Sequence, residues 1–268
     1  MNPPPHADTS GLVGPAGLVG RIALVTGGAG AIGRAVAEAL VARGVRVVAA
    51  DLGLPGDPAA CAFAPAGRTD VHLDVTHKAE ITTLVERIAS TLGGIDLLVN
   101  VAGVVSHGTA EALAEAEWDR VMDINLKGTF LCCQAVMPAM KAKRWGRIVN
   151  IGSVVGKNGG NARPWLFPDE QLRAGNVAYG VSKAGVHAMT AFLAKELAAS
   201  GVTVNAVAPG PIATSMTQKY PDALRALIPV GRMGTLADAV HAILFLLAEE
   251  SSYITGEVLD INGGIWCD

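Results

Sequence analysis

Two groups of residues have types and spacings that could do chemistry. Tyr179-Gly180-Val181-Ser182-Lys183 sets a phenol and an ammonium four positions apart, which is one face of a helix. A free tyrosine titrates at about 10 and is a poor base at neutral pH. A cation held beside it favours the phenolate and brings proton transfer within reach. An exposed helix can hold the same pair with no function at all, so its meaning depends on what surrounds it.

The second group is Thr26-Gly27-Gly28-Ala29-Gly30-Ala31-Ile32-Gly33, followed 18 positions after its last glycine by Asp51. Glycines let the backbone turn tightly and bring its N–H groups close to a pyrophosphate, and a following helix aims its positive end at the anion. An acidic residue at about this distance reads as the ribose ligand of a dinucleotide. Asp51 can accept both hydrogen bonds of a ribose diol and would repel a 2′-phosphate. No arginine or lysine stands at Leu52, Gly53 or Leu54 to neutralise one. The pattern therefore predicts NAD rather than NADP, the alternatives being a plain structural turn and a solvated acid at a strand end.

These residues need a scaffold, and the apolar rhythm supplies one. Short β-branched runs at 21–26, 45–50, 71–73, 96–100, 147–151, 202–207 and 257–261 alternate with helical patterns at 31–43, 78–92, 115–143, 179–199 and 236–249. The long stretch 115–143 is expected to break near Asn125. Strands alternating with helices imply β-α-β units and a parallel sheet covered on both faces. The expectation is an α/β fold: one doubly wound Rossmann-type domain of about seven strands spanning 21–268. A Pro- and Gly-containing N-terminal tail, 1–20, precedes it without the charged and apolar regions of a signal peptide.

Composition narrows the function classes. Of 268 residues half are hydrophobic and 17% charged, with a net charge of −3, so no basic field favours nucleic acid or a membrane surface. No apolar run reaches membrane-spanning length. Cys61, Cys132, Cys133 and Cys267 show no C-x-x-C pair or dense spacing, which suits free thiols in the cytoplasm. His6, His72, His77, His107, His187 and His241 show no metal-ligand spacing, so no metal is expected. His107 reads as a solvated loop residue with possible access to substrate.

At this point the sequence resembles the short-chain dehydrogenases/reductases, over nearly the whole span from Arg21 to Gly264. The family's T-G-x-x-x-G-x-G is similar to Thr26-Gly27 through Gly33, and its Asn-Asn-Ala-Gly to Asn100-Val101-Ala102-Gly103. Its helix asparagine matches Asn125, its strand-end serine Ser153, its Tyr-x-x-x-Lys Tyr179 and Lys183, and its Pro-Gly Pro209-Gly210 with Ile212 and Thr214 following. The ending Thr255-Gly256-Glu257 to Asn262-Gly263-Gly264 also fits.

The resemblance implies an oxidoreductase interconverting a secondary alcohol and a ketone. Tyr179 would exchange a proton with the substrate oxygen, and Lys183 would lower its pKa and bind the nicotinamide ribose. Ser153 would hydrogen-bond the carbonyl, and Asn125 would anchor a water in the proton relay. Asp74 and Val75 would meet the adenine, Asn100 and Ala102 the adenosine and ribose region, and Ile212 and Thr214 the carboxamide. Gly27, Gly30, Ile32, Gly33, Asp51, Leu52, Gly103, Pro209 and Gly210 complete the cofactor-facing set. Family precedent implies a homotetramer or homodimer and a small-molecule substrate. The general look is that of 3-oxoacyl-carrier reductases, which usually prefer NADPH, so a 3-oxoacyl-thioester reductase using NAD(P)H remains an alternative. A non-catalytic cofactor-sensing regulator is a second one, against which the complete Asn125, Ser153, Tyr179 and Lys183 set argues.

The sequence departs from the pattern in three places. Ala31 replaces the family's second glycine, and Val101 its second asparagine. Ser153 and Tyr179 are 26 positions apart, where roughly half that is the norm. The surplus falls in 157–176 and carries Trp165 and Phe167; it is expected to bulge out without separating Ser153 from Tyr179, either over the substrate mouth or a subunit contact or as a plain exposed loop. A substrate lid is expected in 214–229, with Met216 and Tyr220 as candidates.

Overall fold

The computed structural model describes residues 16–160, 169–170, 176–214 and 222–267. Seven parallel strands form one sheet: β1 (Ile22–Thr26), β2 (Arg46–Asp51), β3 (Arg68–His72), β4 (Leu97–Asn100), β5 (Gly146–Ile151), β6 (Val202–Pro209) and β7 (Val258–Ile261), in the order β3-β2-β1-β4-β5-β6-β7. Among the described residues the helices of eight or more residues are α1 (Ala31–Val41), α2 (Lys78–Leu92), α3 (Glu115–Met122), α4 (Thr129–Lys143), α5 (Val177–Leu197) and α6 (Leu236–Leu247).

Alternation along the strands sends side chains to two cores. Leu24, Val48, Leu98 and Ile148 pack on one face against Ile81, Leu84 and Ile88 of α2, Val136 and Met140 of α4 and Leu193 and Leu197 of α5. Ala23, Val25, Val47, Val99 and Val149 pack on the other against Val36 and Leu40 of α1 and Ile243 and Leu247 of α6. Strands buried on both faces explain their near-continuous apolar sequences.

Winding outward in both directions from β1 and β4 places a crevice at the carboxyl ends of those two strands. The register aligns the ends: Thr26 pairs with Ala50 and Asn100, and Asn100 with Asn150. The hydroxyl of Thr26 accepts from the backbone N–H groups of Val101 and Ala102 at 3.1 and 3.3 Å, tying the β4 turn to the β1 turn.

Three expectations are refined. The third strand begins at Arg68, earlier than its apolar residues suggested. The long helical stretch is broken near Asn125 by a π-helical segment, Asp123–Gly128, joining α3 to α4; such segments often mark functional sites. Of the tail, 1–15 lies outside the described residues. So do 161–168 and 171–175 of the surplus segment, with Trp165 and Phe167, and 215–221 of the expected lid, with Met216 and Tyr220.

Candidate active site

A cavity of about 460 Å³ opens at the carboxyl ends of the strands. Its floor is the turn after β1. Gly27 has φ +67°, and a Cβ there would lie 2.6 Å from the backbone nitrogen of Ala102; one at Gly33 would lie 2.1 Å from the carbonyl oxygen of Gly27. Helix α1 therefore sits directly on the turn. Its N-terminal residue Gly30 provides no side-chain cap, whereas Thr235 and Asp238 cap α6 reciprocally. The first N–H groups of α1 are thus left for an anion. Gly30, Ala31 and Ile32 line the cavity.

Asp51 is fixed at the end of β2. Its carboxylate accepts from the backbone N–H of Ala29 at 3.2 Å and of Gly53 at 2.8 Å, and it lines the cavity beside Leu52. Asp74 and Val75 follow β3 on the same wall. Partial burial works against ionisation of Asp74, but hydrogen bonds from the N–H and hydroxyl of Thr76, both 2.8 Å, together with His77 and His72, hold it below the usual carboxylate range. Ala102 and Gly103 after β4, Pro209 at the end of β6, and Gly210, Ile212 and Thr214 after it close the far side.

Ser153 follows β5 and Tyr179 belongs to the first turn of α5; both line the cavity. Both sit at the same cavity wall, near enough for the Ser153 hydroxyl to pull down the titration of the Tyr179 phenol, so the insertion does not separate them. Lys157, at its start, bonds Asp260 at 3.0 Å and the carbonyl of Val258 at 3.1 Å, anchoring that end to β7.

Lys183 behaves differently from expectation. It is buried, its Nζ donates to the carbonyl of Ile151 at 2.7 Å and sits 5.8 Å from the Tyr179 ring centroid. Burial lowers it to about 8. The Tyr179 phenol is pushed up by its own burial, with the Ser153 hydrogen bond pulling the other way. The ammonium is not among the causes that shift the phenol; desolvation leads for both groups.

Asn125 is buried in the π-helical segment. Its Oδ1 accepts from the N–H of Val104 at 2.8 Å, and its amide donates to the carbonyl of Val104 and the hydroxyl of Ser182 at 2.9 and 3.0 Å. Both amide protons are thereby committed, tying the π-helical segment to the loop after β4 and to α5. Asn100 points into the core, donating to Asn150 at 2.9 Å and to Cys133 at 3.3 Å; its side chain is not part of the cavity wall as expected. Gly33 likewise serves packing. The cavity also takes in Val104, Ile124 and Pro211, which sequence reasoning did not single out; each is adjacent to a matched residue, Gly103, Asn125 and Gly210.

Among the described residues no group of three His, Cys, Asp or Glu could hold a metal ion, and no helix is long and apolar enough to cross a membrane. Cys61, Cys132, Cys133 and Cys267 are all free thiols. Burial pushes Cys133 up to about 12, leaving it unreactive. His107 is exposed on its loop.

Comparison with known proteins agrees with this geometry. Residues 27–266 match the family model described as Enoyl-(Acyl carrier protein) reductase. The 3-oxoacyl-[acyl-carrier-protein] reductase FabG of Salmonella typhimurium is 40% identical over 251 residues, 92% of this chain and 98% of the relative. The protein of that name from Thermotoga maritima is 39% identical over 255 residues, with 92% and 98% covered. The crystal structure of gox2181 superposes with a TM-score of 0.78 at 34% identity, covering 91% of this chain and 95% of that one. The chain belongs to the short-chain dehydrogenase/reductase family and is an oxidoreductase acting between CH–OH and ketone groups.

Proposed function

We propose that the enzyme uses NAD(H) and that Tyr179 exchanges the proton with the substrate oxygen while Ser153 holds that oxygen by a hydrogen bond. The observation that carries this is that Ser153, Tyr179 and Asp51 line one and the same cavity, with the Ser153 hydroxyl near the phenol. In sheet order β2 lies three strands from β5, roughly 14 Å at the usual strand spacing, a span suited to an extended dinucleotide. The glycine cradle and the uncapped end of α1 lie between them and suit its pyrophosphate.

The cofactor supplies hydride transfer at its nicotinamide. The protein orients substrate, excludes water and moves the proton. Tyr179, kept protonated by burial, suits donation to a carbonyl and hence ketone reduction. Asp51 favours a ribose diol over a 2′-phosphate, at up to about 4 kcal/mol for a unit charge at 4 Å in a surface-like dielectric.

A more specific reading, in which the ketone is a 3-oxoacyl thioester, is favoured by the name and extent of the relatives at 39–40% identity. We also infer a cytoplasmic enzyme, consistent with its free thiols, and a homotetramer or homodimer. The test is a panel of 3-oxoacyl thioesters and secondary alcohols, each assayed with NAD(H) and NADP(H), for wild type and Tyr179→Phe. Turnover that survives the substitution at full rate overturns the role of Tyr179. A preference for NADPH overturns that of Asp51.

A further inference from the structure

Helix α5 is fastened to the end of β5 by three hydrogen bonds from one of its faces. Lys183 reaches the carbonyl of Ile151 at 2.7 Å, and Thr190 accepts from the amide of Asn150 at 3.0 Å. Between them, His187 Nε2 accepts the backbone N–H of Ser153 at 3.3 Å. We infer that His187 is a positioning residue for Ser153, holding its backbone so that its hydroxyl faces Tyr179 and the substrate oxygen. The inference rests on the role proposed above for Ser153.

The backbone explains why an acceptor is needed here. The N–H groups of Gly152 and Val154 continue the ladder to β6, bonding Val207 at 2.8 Å and Pro209 at 3.0 Å. Alternation turns the Ser153 N–H to the other side, towards β4. That pairing ends at Asn100 opposite Asn150, so no strand carbonyl meets it. The imidazole takes the place of the missing strand. Accepting at Nε2 requires a neutral ring with its proton on Nδ1.

The surroundings are shaped for the ring. A Cβ on Gly152 would lie 2.0 Å from His187 Nε2, and one on Gly156 would lie 3.1 Å from Cε1. Two glycines thus open the room that the imidazole occupies. Ser153 Oγ in turn accepts from the N–H of Val155 at 3.2 Å. With backbone and hydroxyl both tethered, the serine is held in one orientation although it follows a glycine at a strand end. Small displacements of such a group are costly, since a misplacement of about 1 Å can reduce turnover about a hundredfold.

The test compares His187→Leu, which removes the acceptor, with His187→Gln, whose Oε1 can reach the same N–H without titrating. Both are assayed with the substrate and cofactor found in the panel above, alone and in a Ser153→Ala background. The expected result is a fall in kcat of about tenfold for His187→Leu, with KM for the cofactor unchanged and most of the loss restored in His187→Gln. In the Ser153→Ala background the leucine should cost less than about twofold, because its effect passes through the serine. Wild-type kcat in His187→Leu, equal loss in both His187 variants, or an undiminished leucine effect without the serine overturns the inference. Full activity in Ser153→Ala alone overturns instead the reading on which it rests.

Discussion

Lys183 donates from Nζ to the carbonyl oxygen of Ile151 at 2.7 Å, which fixes the ammonium at the strand end two residues before Ser153. The cation and the phenol share a helix face, yet each is governed by its own burial. Burial moves the two groups in opposite directions, the ammonium down and the phenol up. Both shifts favour neutral forms, as a low-dielectric cavity should.

The Lys183 shift predicts a pH dependence of stability. An unfolded lysine titrates at about 10.4, the folded one at about 8. Below that lower value both states are protonated, and folding bears the full cost of burying the charge. Above it the folded protein releases a proton that the unfolded chain still binds, so stability rises with pH towards about 10. Relative to Lys183→Met, wild type should gain roughly 2–3 kcal/mol between about pH 8 and pH 10. Urea unfolding at several pH values measures this; a constant difference contradicts it.

Tyr179 predicts a directional pH effect on activity. Reduction of a ketone needs the phenol, and oxidation of an alcohol needs the phenolate. With the phenol pushed above its ordinary range by burial, reduction should persist through neutral pH while oxidation climbs as pH rises. Tyr179→Phe should lose about 10²–10⁴-fold in kcat both ways and still bind cofactor, as followed by fluorescence titration. Equal pH profiles in the two directions would speak against this assignment.

Asp51 predicts cofactor choice. Its two backbone partners, Ala29 and Gly53, lock the carboxylate where an adenosine ribose would lie. Asp51→Asn keeps an acceptor for the turn and removes the charge. The NADP-to-NAD ratio of kcat/KM should rise about tenfold or more, corresponding to about 1.4 kcal/mol. An unchanged ratio would place the discrimination elsewhere.

What was legible in the sequence was local. The turn from Gly27 to Gly33, the acid at the next strand end and the Tyr179–Lys183 spacing each depend on neighbours close along the chain. The five inner strands were legible because burial on both faces leaves near-continuous apolar runs, whereas the edge strand β3 opens on Arg68, Thr69 and Asp70 and was read short. What escaped depends on contacts between distant residues. Asn125 is spent on Val104, 21 positions away, and His187 on Ser153, 34 positions away; no periodicity encodes either. Asn100 matched a motif, yet its side chain turned inward to Asn150 and Cys133, a choice made by the register of β4 on β5. The sign of the Tyr179 shift escaped for the same reason, since it follows from burial in the assembled cavity.

The opposite end of the sheet offers a control in which stability and activity separate. Before β5, the guanidinium groups of Arg21 and Arg147 lie 3.6 and 4.5 Å from the ring centroid of Trp145. Its indole N–H donates to Glu249 at 2.8 Å, and the same carboxylate lies 3.4 Å from Arg147. Arg147 is only 2% exposed, and its pKa is lowered by desolvation and raised again by Glu249. Removing the carboxylate leaves a buried cation without its counter-charge, which costs about 3–5 kcal/mol for a fully buried pair. Glu249 is half exposed, so solvent screening reduces the expected loss to roughly 1–2 kcal/mol in Glu249→Gln. The cluster sits at the amino ends of the strands, across the sheet from the cavity, so kcat at a temperature where the protein stays folded should not change. Thermal unfolding and steady-state kinetics on the same preparation test both halves. A fall in kcat without a fall in Tm would mean that this end of the sheet communicates with Ser153 and Tyr179.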